Sequence, residues 1–326
     1  MRILLIRQGA IGDIIVTLPT LSILRGYYPN AYIEVIGNPI YWMVAHKRFY
    51  VDEVSSPEKR LKAGLYLKEG EIDKETTDYF SSFDLIIAYT NDPEQIVTEK
   101  LKQFGARKVL SCPPFPTGEG LHAVDYTAQV LRDLGLRINT PMFPKTHLME
   151  KDLEFAQEFI SALTKTEPLV AIHPRTYGIK GWKIEEFIKI GRWIETKLYG
   201  KIIWVIGPAE EESIEEIKSN FPSSPLLYLN SLPEVAAVLS LSDLYLGCDT
   251  GISHLAASVD TKVIALFGPT NPHIWGPRGK NVWILKSGEV RRIVDQRVEE
   301  LIIECIKYQG DGEYKIVEDE GQSDVA

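Results

Sequence analysis

Long hydrophobic stretches are missing from this 326-residue chain. None approaches the roughly 18 apolar residues that would suggest a membrane span. The N-terminal apolar run is broken by Arg7 and Asp13, so it does not read as a signal peptide. Cysteine is scarce: Cys112, Cys248 and Cys305 are scattered and odd in number. They give neither metal-ligand spacing nor a disulfide framework, and a reducing cytosol fits them. Excess positive charge is absent too, and the net charge of −9 excludes general nucleic-acid binding. There is no GxGxxG, no GxxxxGK[ST], no GxSxG and no His/Cys/Asp cluster at metal spacing. A standard dinucleotide fingerprint, a P-loop, a hydrolase elbow and a zinc site therefore lack support.

The rest of the composition, with 44% hydrophobic and 25% charged residues, is that of a globular protein. From Gly310 onward, six acids and one base give a net of −5, leaving −4 on the remainder. That end reads as a solvated, mobile tail. Short apolar runs recur between amphipathic stretches. In the first half they are RILLIR, YIEVIG, DLIIAY and KVL, with a weaker one at DEVSS; in the second, LVAIH, IIWVIG, LLYL, DLYLG and KVIALFG. About ten buried strands alternating with helices predict an α/β fold with parallel sheets. The length favours two doubly wound domains over one ten-stranded sheet. The Pro-rich stretch NTPMFPKT, followed by the amphipathic DLEFAQEFISALTK, places the boundary near residue 150, giving domains 1–150 and 151–326. EVRRIVDQRVEELIIECIKYQG reads as a C-terminal helix that packs back on the first domain.

Open parallel sheets bind ligands at the carboxyl ends of their strands, so chemistry is sought on the loops that follow strands. After RILLI comes RQGAIGDIIVTLP. Here Asp13 reads either as a helix cap or as a base at a helix N-terminus, where the dipole favours an acidic side chain. Pro19 is expected to kink that helix or mark its start. After LVAIH, the loop HPRTYGIKGW carries Arg175, Thr176 and Lys180, two cations and a hydroxyl that suit a diphosphate gaining charge as it leaves. A solvated surface loop is the structural alternative, and Trp182 reads as a packing anchor. After DLYLG, the segment Asp249-Thr250-Gly251 opens a helix whose first-turn N–H groups could hold a diphosphate; Asp249 or Thr250 as a plain N-cap is the alternative. His254 follows on that helix, where packing is its ordinary use. Glu210, Glu211 and Glu212 follow IIWVIG at a helix start; they complement the dipole, and one could accept hydrogen bonds from a ribose diol.

Taken together, IGD…TLP near the N-terminus with DTGISHLAA and FGPTNP in the second half resembles glycosyltransferase family 9, the ADP-heptose:lipopolysaccharide heptosyltransferases and their relatives. The resemblance runs from RILLIRQGAIGDIIVTLP to GPTNPHIWGPRG. It implies a GT-B architecture, two Rossmann-like domains facing across a cleft, with the acceptor on the first and the nucleotide sugar on the second. It implies inverting transfer of heptose from ADP-heptose to a lipopolysaccharide inner-core or lipid-linked acceptor, with no tightly bound cofactor or metal. By position, Asp13 falls on the proposed general base. Thr176, Lys180, Asp249, Thr250, Gly251 and His254 fall on donor-phosphate positions, and Glu210 reaches the ribose. The chain departs from the pattern at Lys183, where proline often follows the tryptophan, and at Arg175, where small residues are common. Another nucleotide sugar or acceptor, or a catalytically silent sugar-nucleotide binder, is the competing reading; a hydrolysing epimerase on the same fold fits less well. An acceptor that is a lipid, in a chain without a span, implies a cytoplasmic enzyme peripheral to the inner membrane. Arg48 and Arg60 in the Tyr41–Lys68 region are the expected contacts to an anionic acceptor.

Overall fold

A computed structural model describes residues 1–67, 72–116, 118, 120–163 and 167–318. The chain divides into two compact units, Met1–His147 and Leu148–Ala326. In the first, strands β1 (Arg2–Ile6), β2 (Tyr32–Ile36), β3 (Glu53–Ser55), β4 (Leu85–Tyr89) and β5 (Val109–Cys112) form one sheet in the order β3-β2-β1-β4-β5. Every pairing is parallel. In the second, β6 (Leu169–His173), β7 (Lys201–Ile206), β8 (Leu226–Tyr228), β9 (Leu244–Cys248), β10 (Val263–Phe267), β11 (Asn281–Lys286) and β12 (Glu313–Glu318) line up as β12-β11-β10-β9-β6-β7-β8. This sheet too is parallel throughout. The result is the GT-B class of α/β fold.

The central strands are continuous apolar runs because helices cover both faces of each sheet. All five residues of β4, β6, β9 and β10 are buried. In both sheets the strand order reverses beside the first strand of the unit: between β1 and β4 in one, between β6 and β9 in the other. Loops diverge at such a switch point and leave a crevice at the carboxyl ends. The chemistry-bearing loops after β1, β6 and β9 all leave from these points.

The helix Ile11–Tyr27 follows β1 and buries Ile14, Ile15, Leu18, Leu21 and Leu24. Each such side chain contributes about 1.5–3 kcal/mol on burial. The helix begins at Ile11, so Pro19 sits buried in its interior rather than at its start. Hydroxyl groups serve nearby carbonyls: Thr17 Oγ1 donates to Asp13 O at 2.7 Å, and Thr127 Oγ1 to Val16 O at 3.0 Å.

Three expectations are corrected. Twelve strands are present among the described residues, and the acidic end supplies one of them: β12 pairs in register with β11 from Glu313 to Glu318, so this part of the tail is ordered sheet edge. Its remainder, 319–326, lies outside the described residues. The C-terminal helix is shorter than expected, Asp295–Lys307, preceded by a 3-10 turn at Val290–Arg292. Its apolar stripe of Val298, Leu301, Ile302 and Cys305 joins the core of its own unit beside Phe187, Ile190 and Trp283.

Candidate active site

The second unit gathers its candidates around the β6–β9 switch point. Lys180, on the loop after β6, places Nζ 2.5 Å from Asp249 Oδ2 at the end of β9. The two are 69 positions apart in sequence, and the adjacency of β6 and β9 brings them together. The loop can do this because it folds tightly on itself. Trp182 N donates to Arg175 O at 2.9 Å, and a Cβ on Gly181 would lie 2.5 Å from the Thr176 carbonyl carbon. Trp182 anchors the far end, fully buried, with Nε1 donating to Ile293 O at 3.2 Å. Thr176 lies half-buried on the same loop. Arg175 stacks its guanidinium over Tyr177 at 4.1 Å, and its buried Nε makes no hydrogen bond among the described residues.

Thr250 sits at the N-cap of the helix Gly251–Ala257, yet its side chain caps nothing. Its Oγ1 instead lies 3.3 Å from His173 Nδ1. Asp249 precedes the cap and is taken by Lys180. Neither side chain therefore caps the helix, although Thr250 occupies the cap position. Gly251 is the first residue of the helix, and His254 is buried within it.

On the other edge of His173, Nε2 is 3.4 Å from Glu210 Oε2, a separation long for a hydrogen bond, so the contact is chiefly electrostatic. Glu210 does not open an α-helix as expected. It lies in a 3-10 turn, Pro208–Ser213, and its Oε2 accepts the Gly207 N–H at 3.0 Å. Burial by itself would raise this carboxyl; the contact with His173, the Gly207 N–H and the charge of Arg175 outweigh it and hold Glu210 below its ordinary value. Glu210, His173 and Thr250 thus form one line from β7 across β6 to β9. His173 was not among the sequence candidates. Its signal was a single polar residue closing the buried run LVAIH at the carboxyl end of a central strand.

In the first unit, Asp13 is the third residue of its helix rather than the N-cap. Its Oδ2 accepts the N–H of Ala10, the true N-cap, at 2.8 Å. Gly9 makes this turn possible: its φ is +134°, and a Cβ there would lie 2.5 Å from Asp13 Oδ2. Asp13 Oδ1 is 3.4 Å from Arg7 Nη2. Arg7, a second residue missed in the sequence, is buried at the end of β1. A cavity of about 430 Å³ opens beside this turn, lined by Gln8, Gly9, Asn38, Ile40 and Glu58. The expected acceptor contacts are used within the unit. Arg48 donates to Met43 O and His147 O, both at 3.1 Å, and Arg60 stacks on Tyr79 at 3.9 Å.

Burial pushes the Cys112, Cys248 and Cys305 thiols up to about 12, so none is a ready nucleophile. Among the described residues no group of three or more His, Cys, Asp or Glu is placed to hold a metal, and no helix is long and apolar enough to cross a membrane.

Known proteins resemble this chain in sequence and fold. Residues 115–302 match the model of glycosyltransferase family 9 (heptosyltransferase). Lipopolysaccharide heptosyltransferase 3 of Escherichia coli K12 is 25% identical over 315 residues, covering 86% of this chain and 87% of that protein. Among solved structures, a family 9 glycosyltransferase from Veillonella parvula superposes with a TM-score of 0.73 at 20% identity, over 94% of this chain and 97% of that one. The E. coli heptosyltransferase WaaC with ADP gives 0.68 at 21%, over 94% of this chain and 100% of that one. The matched segment holds the whole Lys180–Asp249 and Glu210–His173–Thr250 arrangement, and the chain belongs to glycosyltransferase family 9.

Proposed function

We propose that the protein transfers heptose from ADP-heptose to an acceptor of the lipopolysaccharide inner core, inverting the anomeric centre. The observation that carries the donor half is the arrangement at the β6–β9 switch point, where one cation, a hydroxyl and a buried carboxylate are held on three adjacent strands. Lys180, with Arg175 on the same loop, meets the diphosphate and stabilises the charge it gains as the sugar–phosphate bond breaks. Thr176, Thr250, Gly251 and His254 complete that surface, and Glu210 accepts from the ribose. The relative WaaC, solved with ADP and also with ADP-2-deoxy-2-fluoro heptose, supports an ADP-sugar as donor.

In the acceptor half, Asp13 takes the proton of the acceptor hydroxyl while that oxygen bonds to the anomeric carbon; ADP departs with the electron pair of the broken bond. The cavity beside Gly9 is the natural seat for the acceptor sugar. A lipid-borne acceptor makes the protein a peripheral visitor to the cytoplasmic face of the inner membrane. No resident cofactor or metal enters this scheme.

A panel of nucleotide sugars and acceptors, read by product mass, tests the reading. Heptose transfer from ADP-heptose to a Kdo-containing acceptor, lost by roughly 10²–10⁴-fold in kcat in Asp13→Asn with ADP binding retained, is the expected result. Turnover only with another nucleotide sugar would replace the donor, and full activity in Asp13→Asn would remove the base.

A further inference from the structure

The geometry points to Arg7 as a positioning residue for Asp13, fixing which carboxylate oxygen receives the acceptor proton. The inference rests on Asp13 being the base.

Arg7 is 1% exposed, an unusual place for a guanidinium. It ends β1, and Nη1 donates to Pro114 O at 2.6 Å, on the segment after β5. Its plane lies 5.1 Å from the Tyr89 ring and 5.7 Å from the Phe115 ring. Burial pushes the guanidinium's pKa down; Asp13 opposes this most, ahead of Tyr89 on β4, Cys112 on β5 and Tyr126. Asp13 is the one carboxylate forming a salt bridge with it among the described residues.

From the other side, the two Asp13 oxygens are not equivalent. Oδ2 is committed to the Ala10 N–H at 2.8 Å and hemmed in by Gly9. Among the described residues Oδ1 carries only the longer contact, 3.4 Å to Arg7 Nη2, and the side chain is 16% exposed. A carboxylate oxygen has lone pairs for more than one donor, so Oδ1 can hold Arg7 and still accept from an acceptor hydroxyl. Arg7 and Ala10 thereby pin the carboxylate plane from both ends. A cation next to a base weakens its pull on a proton, so the benefit of Arg7 lies in orientation. Misplacing a reacting group by about 1 Å costs on the order of 100-fold.

The experiment is a cycle of Arg7→Met, Asp13→Asn and the double variant, with Arg7→Lys as the conservative partner. For each, kcat, donor and acceptor KM, and thermal unfolding are measured. Arg7→Met should lose roughly 10- to 100-fold in kcat, with donor KM unchanged, and Arg7→Lys should recover a large part of the loss. In the Asp13→Asn background the same Arg7 change should cost nothing further, because residues acting as a unit are non-additive. Arg7→Met with wild-type kcat, or an equal added loss in the Asp13→Asn background, would overturn the inference. Full activity of Asp13→Asn alone would instead strike the base assignment. If Arg7→Met does not fold, Arg7→Gln decides: a folded Gln variant with wild-type kcat overturns the inference, and a kcat loss that Arg7→Lys largely restores supports it.

Discussion

Glu210 offers the sharpest separation of scaffold from ligand contact. Its side chain is 3% exposed, and Oε2 serves both the Gly207 N–H and His173. Truncation in Glu210→Ala strands a buried backbone donor, which costs about 1–3 kcal/mol, and removes the charge beside His173. A total near 2–3 kcal/mol in a unit of this size lowers Tm by about 4–12 °C. Glu210→Gln keeps an acceptor for Gly207 and loses only the charge, so its Tm should fall by no more than about 4 °C. Oε1 takes neither of those contacts and is the atom left for a ribose diol. A hydrogen bond to a charged acceptor is worth about 1.5–3 kcal/mol. Losing about 1–2 kcal/mol of it in the Gln variant weakens ADP by about 5- to 30-fold. Calorimetry with ADP and with 2′,3′-dideoxy-ADP reads this directly, since the variant should no longer distinguish the two. The pH dependence has a definite sign. Because Glu210 is held below its ordinary 4.5, its stabilisation is complete above that value and is lost as pH falls through the lowered one. Glu210→Gln should flatten this acid limb. A Gln variant with unchanged ADP affinity and intact Tm refutes the ribose contact; an Ala variant with unchanged Tm refutes the scaffold role.

If Lys180 meets the donor diphosphate as proposed, Lys180→Ala should raise donor KM and lower kcat together, with acceptor KM little changed; steady-state kinetics varying each substrate in turn would show it. Gly9→Ala, which places a methyl against Asp13 at a backbone angle that L side chains avoid, should cost at least tenfold in kcat, by analogy with misplacement of about 1 Å, and an unaffected rate would mean the turn adapts freely. Charge reversal at Arg48 should lower the first unit's thermal stability, since its guanidinium holds two carbonyls. Reversal at Arg60 should raise acceptor KM if that residue also meets an anionic acceptor, and unchanged KM in both would end that assignment.

The central strands were legible because burial on both faces writes them as unbroken apolar runs: LVAIH and DLIIAY became β6 and β4 over nearly the same residues. β12 was not. EYKIVE covers one side of a sheet edge, so half its residues remain polar and its charge reads as tail. β11, NVWILK, was passed over although four consecutive residues, Val282 to Leu285, are hydrophobic and buried. At the site, the motifs placed Lys180, Asp249 and Thr250 on loops at one end of a sheet. The Lys180–Asp249 pair could not be read, because it depends on β9 lying beside β6 rather than beside its sequence neighbour β8. Arg7 and His173 were hidden for a related reason. Each is one polar residue at the end of an apolar strand, and only three-dimensional neighbours tell whether it is solvated or buried and paired.

The pairing of β12 with β11 bears on how this protein can be handled. Val282, Trp283, Ile284 and Leu285 are fully buried, and the last strand shields one edge of theirs. Glu313, Lys315 and Glu318 decorate that outer rim with charge, which discourages another chain from adding to it. Trimming at Gly310, as the acidic composition invites, would strip this guard and lay open the backbone donors and acceptors along that edge of β11, beside four buried apolar side chains. The shortened protein would meet its own copies edge to edge, and its solubility, not its active site, would be the first property lost.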